Sequence, residues 1–73
     1  MDTPLRRARL ADKRKLSQAA TAKLAQINQA HYWRLEKAMV RASPGVAERL
    51  AKIFHLDERK ILYPERYTQQ RAG

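Results

Sequence analysis

The chain has 73 residues, room for one small domain with a thin core, because so short a chain buries only about 60% of its unfolded surface. It holds no cysteine, which excludes a disulfide framework, a thiolate zinc site and a thiol nucleophile. Sixteen Lys and Arg against seven Asp and Glu give a net charge of +9, which points to a polyanionic partner, nucleic acid before an anionic membrane.

The charge is uneven. Residues 1–41 carry ten basic and three acidic side chains, and residues 42–73 carry six and four. A basic half beside a near-neutral half suggests one face for a polyanion and another for a different contact. No apolar run approaches the ~20 residues of a membrane span, and the N-terminus lacks the apolar segment of a signal peptide. A cytoplasmic protein is expected. Ala, Leu, Arg, Lys, Glu and Gln dominate, with two Gly and three Pro, so the expected class is all-α. The chain divides into a domain over 1–64 and a polar tail over 65–73.

Asp2-Thr3-Pro4 starts a first helix. Asp2 or Thr3 can cap it, and Pro4 suits the first helical position, where its missing N–H costs nothing. Leu5 and Ala8 are spaced to face a core. Leu10 lies off that stripe and is left for another part of the chain or a partner. Arg6, Arg7, Arg9, Lys13, Arg14 and Lys15 make this the most basic segment. Such a run reads equally as a solvated face or as a source of phosphate contacts.

Leu16-Ser17-Gln18 opens a second helix, with Ser17 as N-cap. Ala19, Ala20, Ala22 and Ala25 are small enough to let two helices approach closely. Leu24 and Ile27 read as apolar plugs around a turn, and Asn28 as the N-cap of a third helix. On that helix, with Tyr32 as zero and 100° per residue, Asn28, Leu35 and Glu36 fall within about 60° of it. They face the core with Tyr32. Ala30, Arg34 and Lys37 fall opposite, with Gln29 and Trp33 on the flank. A large aromatic at that angle either folds over a neighbouring loop or touches a partner, such as a thymine methyl or a sugar-phosphate backbone.

Residues 37–43 form a linker with Met39 and Val40 as candidate apolar anchors. Lys37 and Arg41 are placed to reach phosphates. Ser43-Pro44 restarts a helix as N-cap and first position. Val46, Ala47, Leu50, Ala51, Ile53 and Phe54 make its apolar stripe. His55 stands at its end, suited to a cap or to the helix dipole. Asp57-Glu58 starts a short last helix through Ile61-Leu62. Tyr63-Pro64 ends it, because the residue before Pro disfavours helix.

Catalytic machinery is not expected. No two carboxylates share an apolar setting, no Gly-rich phosphate loop is present, and His31 and His55 are isolated from other metal-ligand types. The chain is read as a non-enzyme with no metal and no cofactor.

The stretch LSQAATAKLAQINQAHYWRLE, followed by SPGVAERLAKIFHLDERKIL, resembles the lambda-repressor-like, Cro-type (XRE-like) helix-turn-helix family. The ending ILYPERY is similar to that of small phage-type regulators. The likeness runs from about Leu5 to Leu62. It rests on Ser17-Gln18, Ala22, Ile27-Asn28, Arg34-Leu35-Glu36, Ser43-Pro44 and Leu50-Ala51 in order and spacing. The resemblance implies a compact five-helix domain whose third helix is the recognition helix, its N-terminal residues on base edges. It implies base readout by Gln29, Ala30 and Arg34, with Trp33 beside them. Ala30 offers only an apolar contact, for example to a thymine methyl. It places Gln18, Asn28, Lys37, Arg41 and Lys15 on phosphates, and Arg9 with Glu36 in a structural ion pair. A carboxylate on the core-ward side needs such a partner, because burying it alone is costly.

The chain departs from the family pattern in three places. The link Asp12-Lys13-Arg14-Lys15 is about two residues longer and lacks the usual Gly. Gln26 and Ala38 stand where Gly is common, and a non-Gly residue there is strained if φ is positive. The expected function is a sequence-specific regulator of transcription, a repressor acting by occlusion as a homodimer on palindromic double-stranded DNA, without a small-molecule effector. Two other functions fit the same fold. One is a protein-interaction module, antitoxin-like or adaptor, using the exposed Trp33 and Leu10. The other is a DNA-bending, excisionase-type factor.

Overall fold

The computed structural model describes residues 3–67 as five α-helices closed by a 3-10 turn. These are α1 (Pro4–Ala11), α2 (Gln18–Ala25), α3 (Gln29–Glu36), α4 (Pro44–Phe54) and α5 (Glu58–Leu62), with the turn at Pro64–Arg66. The class is all-α, as the composition requires; no strand occurs among the described residues.

Each helix starts on a side-chain cap. Thr3 accepts from the N–H of Arg6, Ser17 from Ala20, Asn28 from His31, Ser43 from Val46 and Asp57 from Arg59. A cap of this kind is worth about 1 kcal/mol. Asp2, the other candidate cap of α1, lies outside the described residues. Helix ends are made differently. Gln26 (φ 63), Ala38 (φ 59) and His55 (φ 56) all adopt the left-handed conformation that closes α2, α3 and α4, and Lys15 (φ 54) does so in the link before α2. Their N–H groups return to carbonyls of the preceding turn, as in Gln26 to Lys23 (3.1 Å) and Ala38 to Leu35 (3.1 Å). The expectation of strain at Gln26 and Ala38 therefore holds, since L-residues pay about 1–2 kcal/mol for this region.

Leu5, Ala22, Ala25, Tyr32, Leu35, Val46, Ala47, Leu50, Ala51, Phe54 and Ile61 form one buried cluster. The helix α4 packs on both α2 and α5, while α1 packs on α3 and α5. Ala25 and Ala47 are wholly buried, and the small side chains let α2 and α4 approach closely. Arg49 Nε donates to the Ala25 carbonyl at 2.8 Å and so satisfies the open end of α2 from α4.

Four sequence expectations need correction. Leu24 is half-exposed rather than plugging the turn, because the buried stripe of α2 runs through Thr21, Ala22 and Ala25 and leaves Leu24 to one side. Ile27 alone packs against the core there. Met39 and Val40 are likewise exposed, and the linker is anchored by buried Ala42. Asn28, expected to face the core, is exposed as the N-cap of α3. Pro64 is buried, and Arg7 Nη2 donates to the Tyr67 carbonyl at 3.0 Å, which fastens the 3-10 turn to α1. Of the proposed tail, residues 68–73 lie outside the described residues.

The buried charge of the fold is Glu36, 1% exposed. Arg9 Nε donates to its Oε2, and Arg9 Nη2 to its Oε1 at 3.3 Å. Tyr32 Oη donates to Oε2 at 2.6 Å, and Gln18 Nε2 to Oε1 at 3.0 Å. Thr3 Oγ1 donates to the Glu36 carbonyl at 2.8 Å. One residue therefore joins α1, α2 and α3. Burial alone pushes the Glu36 carboxyl up, but the hydrogen bonds from Arg9, Tyr32 and Gln18 outweigh it and hold it below its ordinary value. Burial, then the bond to Glu36, pushes the Tyr32 hydroxyl above its usual range, so it stays a donor. Among the described residues no buried side-chain nitrogen or oxygen lacks a partner.

Two predictions come from this architecture. Ala38→Gly removes a left-handed penalty at the loss of one partly exposed methyl group, and stabilises the domain by about 1 kcal/mol. In a domain this small that raises Tm by roughly 4–8 °C; an unchanged Tm would show that Ala38 carries no strain. Glu36→Gln leaves the partly buried Arg9 without its counter-charge and costs about 3 kcal/mol at neutral pH in urea denaturation. The native pKa lies below the ordinary 4.5. The Glu36 contribution is therefore complete above that pH and is lost as pH falls through the lowered native value. The wild type should lose stability across that window more steeply than the variant, and parallel curves would sink the assignment.

Candidate nucleic-acid interface

The turn from Gln26 to Asn28 sets α3 across α2, so that Tyr32, Leu35 and Glu36 face inward. The opposite face presents Gln29, Ala30, Trp33 and Arg34, all exposed. With Gln18 from the first turn of α2 they line an open cleft of about 390 Å³. Residues four apart stand one above another on a helix. Gln29 and Trp33 form one row, and Ala30 and Arg34 form the next. Lys37 extends the first row, and its Nζ lies over the Trp33 ring, 5.6 Å from the centroid. Trp33 remains 41% exposed. It stays on the outer face under a cation rather than closing over a loop.

The polar neighbours of the cleft are partly committed. One N–H of the Gln18 amide is given to Glu36, which leaves the second N–H and the oxygen for a ligand. Asn28 Oδ1 accepts from the His31 N–H at 2.7 Å as the cap of α3, and its amide nitrogen remains a donor. Lys15 is exposed on the link that leads into α2.

Arg41 is not free as expected for a backbone contact. Its Nη1 donates to the Leu62 carbonyl and to Glu65 Oε1 at 3.2 Å. Its guanidinium also lies 5.5 Å from the centroid of the Tyr63 ring. The physical reason is the end of α5, whose last carbonyls need donors. The basic run of the first helix is likewise largely used inside the protein. Arg9 holds Glu36, and Arg7 holds Tyr67. Arg14 donates to Asp12 Oδ1 and to the Ile53 carbonyl, at 2.8 and 2.7 Å. The Arg14 bond keeps the Asp12 carboxyl down at about 2. Lys13 and Lys15 are the members of that run that project into solvent without an ion pair among the described residues.

Sequence reasoning missed three positioning residues. Thr3 reaches the Glu36 carbonyl across 33 positions of chain. Thr21, wholly buried, donates to the Ser17 carbonyl at 2.8 Å. Arg49 caps α2 from another helix. Thr3 was visible only as a cap, and neither its burial nor its long reach has a local signature.

The electrostatics follow from where acids are absent. Between residues 13 and 47 the one acid is Glu36, and it is buried and paired. The outward face of that stretch is therefore wholly cationic. Lys13, Lys15, Lys23, Arg34 and Lys37 form no ion pair among the described residues. In the other half, Glu48, Asp57 and Glu65 pair with Lys52, Arg59 and Arg41. Among the described residues no helix is long and apolar enough to cross a membrane.

No curated protein and no solved structure matches the chain. The family profile described as a helix-turn-helix domain matches residues 4–61. That span runs from the first residue of α1 into α5, and the chain belongs to the helix-turn-helix domain family, of the XRE/Cro-like type.

Proposed function

We propose that this protein is a sequence-specific regulator of transcription that lays α3 in the major groove of double-stranded DNA. The observation that carries this reading is the coincidence of two features on one face. The exposed side chains of α3 are an amide, a guanidinium and two apolar groups around a cleft, and the chain from residue 13 to 47 that carries them exposes no acidic side chain.

Gln29 has the donor–acceptor pair that matches adenine, and Arg34 the fork that matches guanine, each worth roughly 1–3 kcal/mol of discrimination. Lys15, Lys37, Asn28 and the uncommitted half of the Gln18 amide take phosphates and set the register. Arg41 joins them only by leaving Glu65 and the Leu62 carbonyl. An eight-residue recognition helix reads few base pairs. A homodimer on a palindrome, with half-sites about one helical turn (~34 Å) apart, supplies the remaining specificity. Its surface is assigned to the less basic half, where Tyr63 is exposed. Pro64 is buried and Tyr67 half-buried, so of Tyr63, Pro64 and Tyr67 it is Tyr63 that is exposed. Repression follows from occlusion of the promoter.

Binding should weaken steeply with salt, with a slope of about −0.9 in log–log form per phosphate neutralised. A flat response in a fluorescence-anisotropy titration would refute the DNA reading. Selection from a random duplex pool should return a palindromic motif. Arg34→Ala should lose preference at one or two base pairs of that motif while keeping non-specific affinity. Uniform weakening on every sequence would instead make Arg34 a phosphate contact.

A further inference from the structure

Arg41 stands apart from the other arginines that hold the fold together. Arg9 grips Glu36 and Arg14 grips Asp12 with two nitrogens each. The three acceptors of Arg41 are the Leu62 carbonyl and Glu65 Oε1 and Oε2 at 3.2 and 3.3 Å, and all draw on one nitrogen, Nη1. Its Nε and Nη2 make no hydrogen bond among the described residues. A strong arginine–carboxylate pair uses two parallel N–H groups at about 2.7–2.9 Å, so the bond to Glu65 is one-pronged and long. Both side chains are more than half exposed, Arg41 56% and Glu65 52%. One rotation of the Arg41 side chain breaks all three contacts together.

The surroundings let Arg41 move while Glu65 stays. The linker after α3 and the 3-10 turn face each other across a cleft of about 190 Å³, lined by Ala38, Met39, Val40, Arg41, Pro64 and Glu65. The turn is fixed by buried Pro64 and by the Arg7 bond to the Tyr67 carbonyl. The Tyr63 ring beside Arg41 also has the Arg66 guanidinium 5.0 Å from its centroid, and keeps that cation when Arg41 departs. Carboxylate and phosphate offer a guanidinium the same kind of anionic oxygen. We propose that Glu65 is an internal competitor of DNA phosphate for Arg41. It holds the guanidinium in the free protein, and a phosphate takes it over when α3 is seated. This rests on the DNA-binding reading above and adds to it a residue, Glu65, that sets affinity without touching DNA. Binding gives up an ion pair and leaves an uncompensated carboxylate near the backbone, where like charges repel.

The test uses the full chain and the duplex returned by selection, at low salt. Glu65→Gln should tighten binding about five-fold, the upper end for an exposed ion pair. Glu48→Gln deletes the same charge and frees Lys52 from a comparable exposed pair. It therefore reports net charge alone and should tighten binding by less than about two-fold. In an Arg41→Ala background the gain from Glu65→Gln should fall to that of Glu48→Gln. In the wild type, the Tyr63 ring signals in NMR should shift when duplex is added, because Arg41 leaves the ring. Equal gains from Glu65→Gln and Glu48→Gln overturn the inference, as does a larger gain that survives without Arg41. Unmoved Tyr63 signals in the wild type overturn it too, and need no variant to fold. Failure of the underlying DNA reading looks different: neither the wild type nor any variant binds duplex, or binding ignores salt, and both readings fall together.

Discussion

The structure depends on one buried carboxylate. Glu36 closes the exposed helix α3 and receives donors from three places that are remote in sequence: Arg9 on α1, Gln18 on α2 and Tyr32 one turn earlier on α3. A charge this deep is tolerable only when its partners are complete. The domain therefore cannot let α1, α2 and α3 drift separately without exposing a half-paired ion. That constraint turns three short helices, none longer than eight residues, into one rigid mount. Helices so short have little stability of their own, so the tie does work that propensity cannot.

The same carboxylate shapes the outward electrostatics. It is the one acid between residues 13 and 47, and its burial removes it from the surface field. What remains outside is cationic, around a cleft built of amide, guanidinium and apolar side chains. The basic run of the first helix looks like the obvious polyanion contact in one dimension. In three dimensions its arginines are largely structural: they hold Glu36, the segment around Tyr67, and the Ile53 carbonyl at the end of α4. The lysines of that run, outside these bonds, and the outer face of α3 stay exposed. Gln18 belongs to both systems, with one N–H inside the hub and the rest of its amide at the cleft. The buried tie and the outer face are thus mechanically joined.

The helix ends show a second economy. Gln26, Ala38 and His55 take left-handed backbone without glycine. Each closes a helix and frees the chain to change direction in few residues. The strain is local, while the burial it permits is shared across the core, so the packing of α4 on α2 and α5 can sustain it.

Much of this was legible in the chain itself. Caps at Ser17, Asn28, Ser43 and Asp57 announce helix starts through local hydrogen bonding. The stripe Val46, Leu50, Phe54 announces a buried face through its period, and Tyr32 and Trp33 separate by angle alone. Those signals are short-range, and a residue's neighbours a turn away suffice to produce them. The sequence by itself thus determined the helices, their inner faces and the residues offered on α3. Tertiary structure alone decided which cations are used up, since Arg7, Arg14 and Arg41 look free until the Tyr67, Ile53 and Leu62 carbonyls are placed beside them. It decided that Leu24, Met39 and Val40 stay outside, because apolarity states a preference for burial but not which surface is available. It decided also that Thr3 joins Glu36. Such long-range partners are set by where whole helices pack, and no periodicity along the chain encodes them.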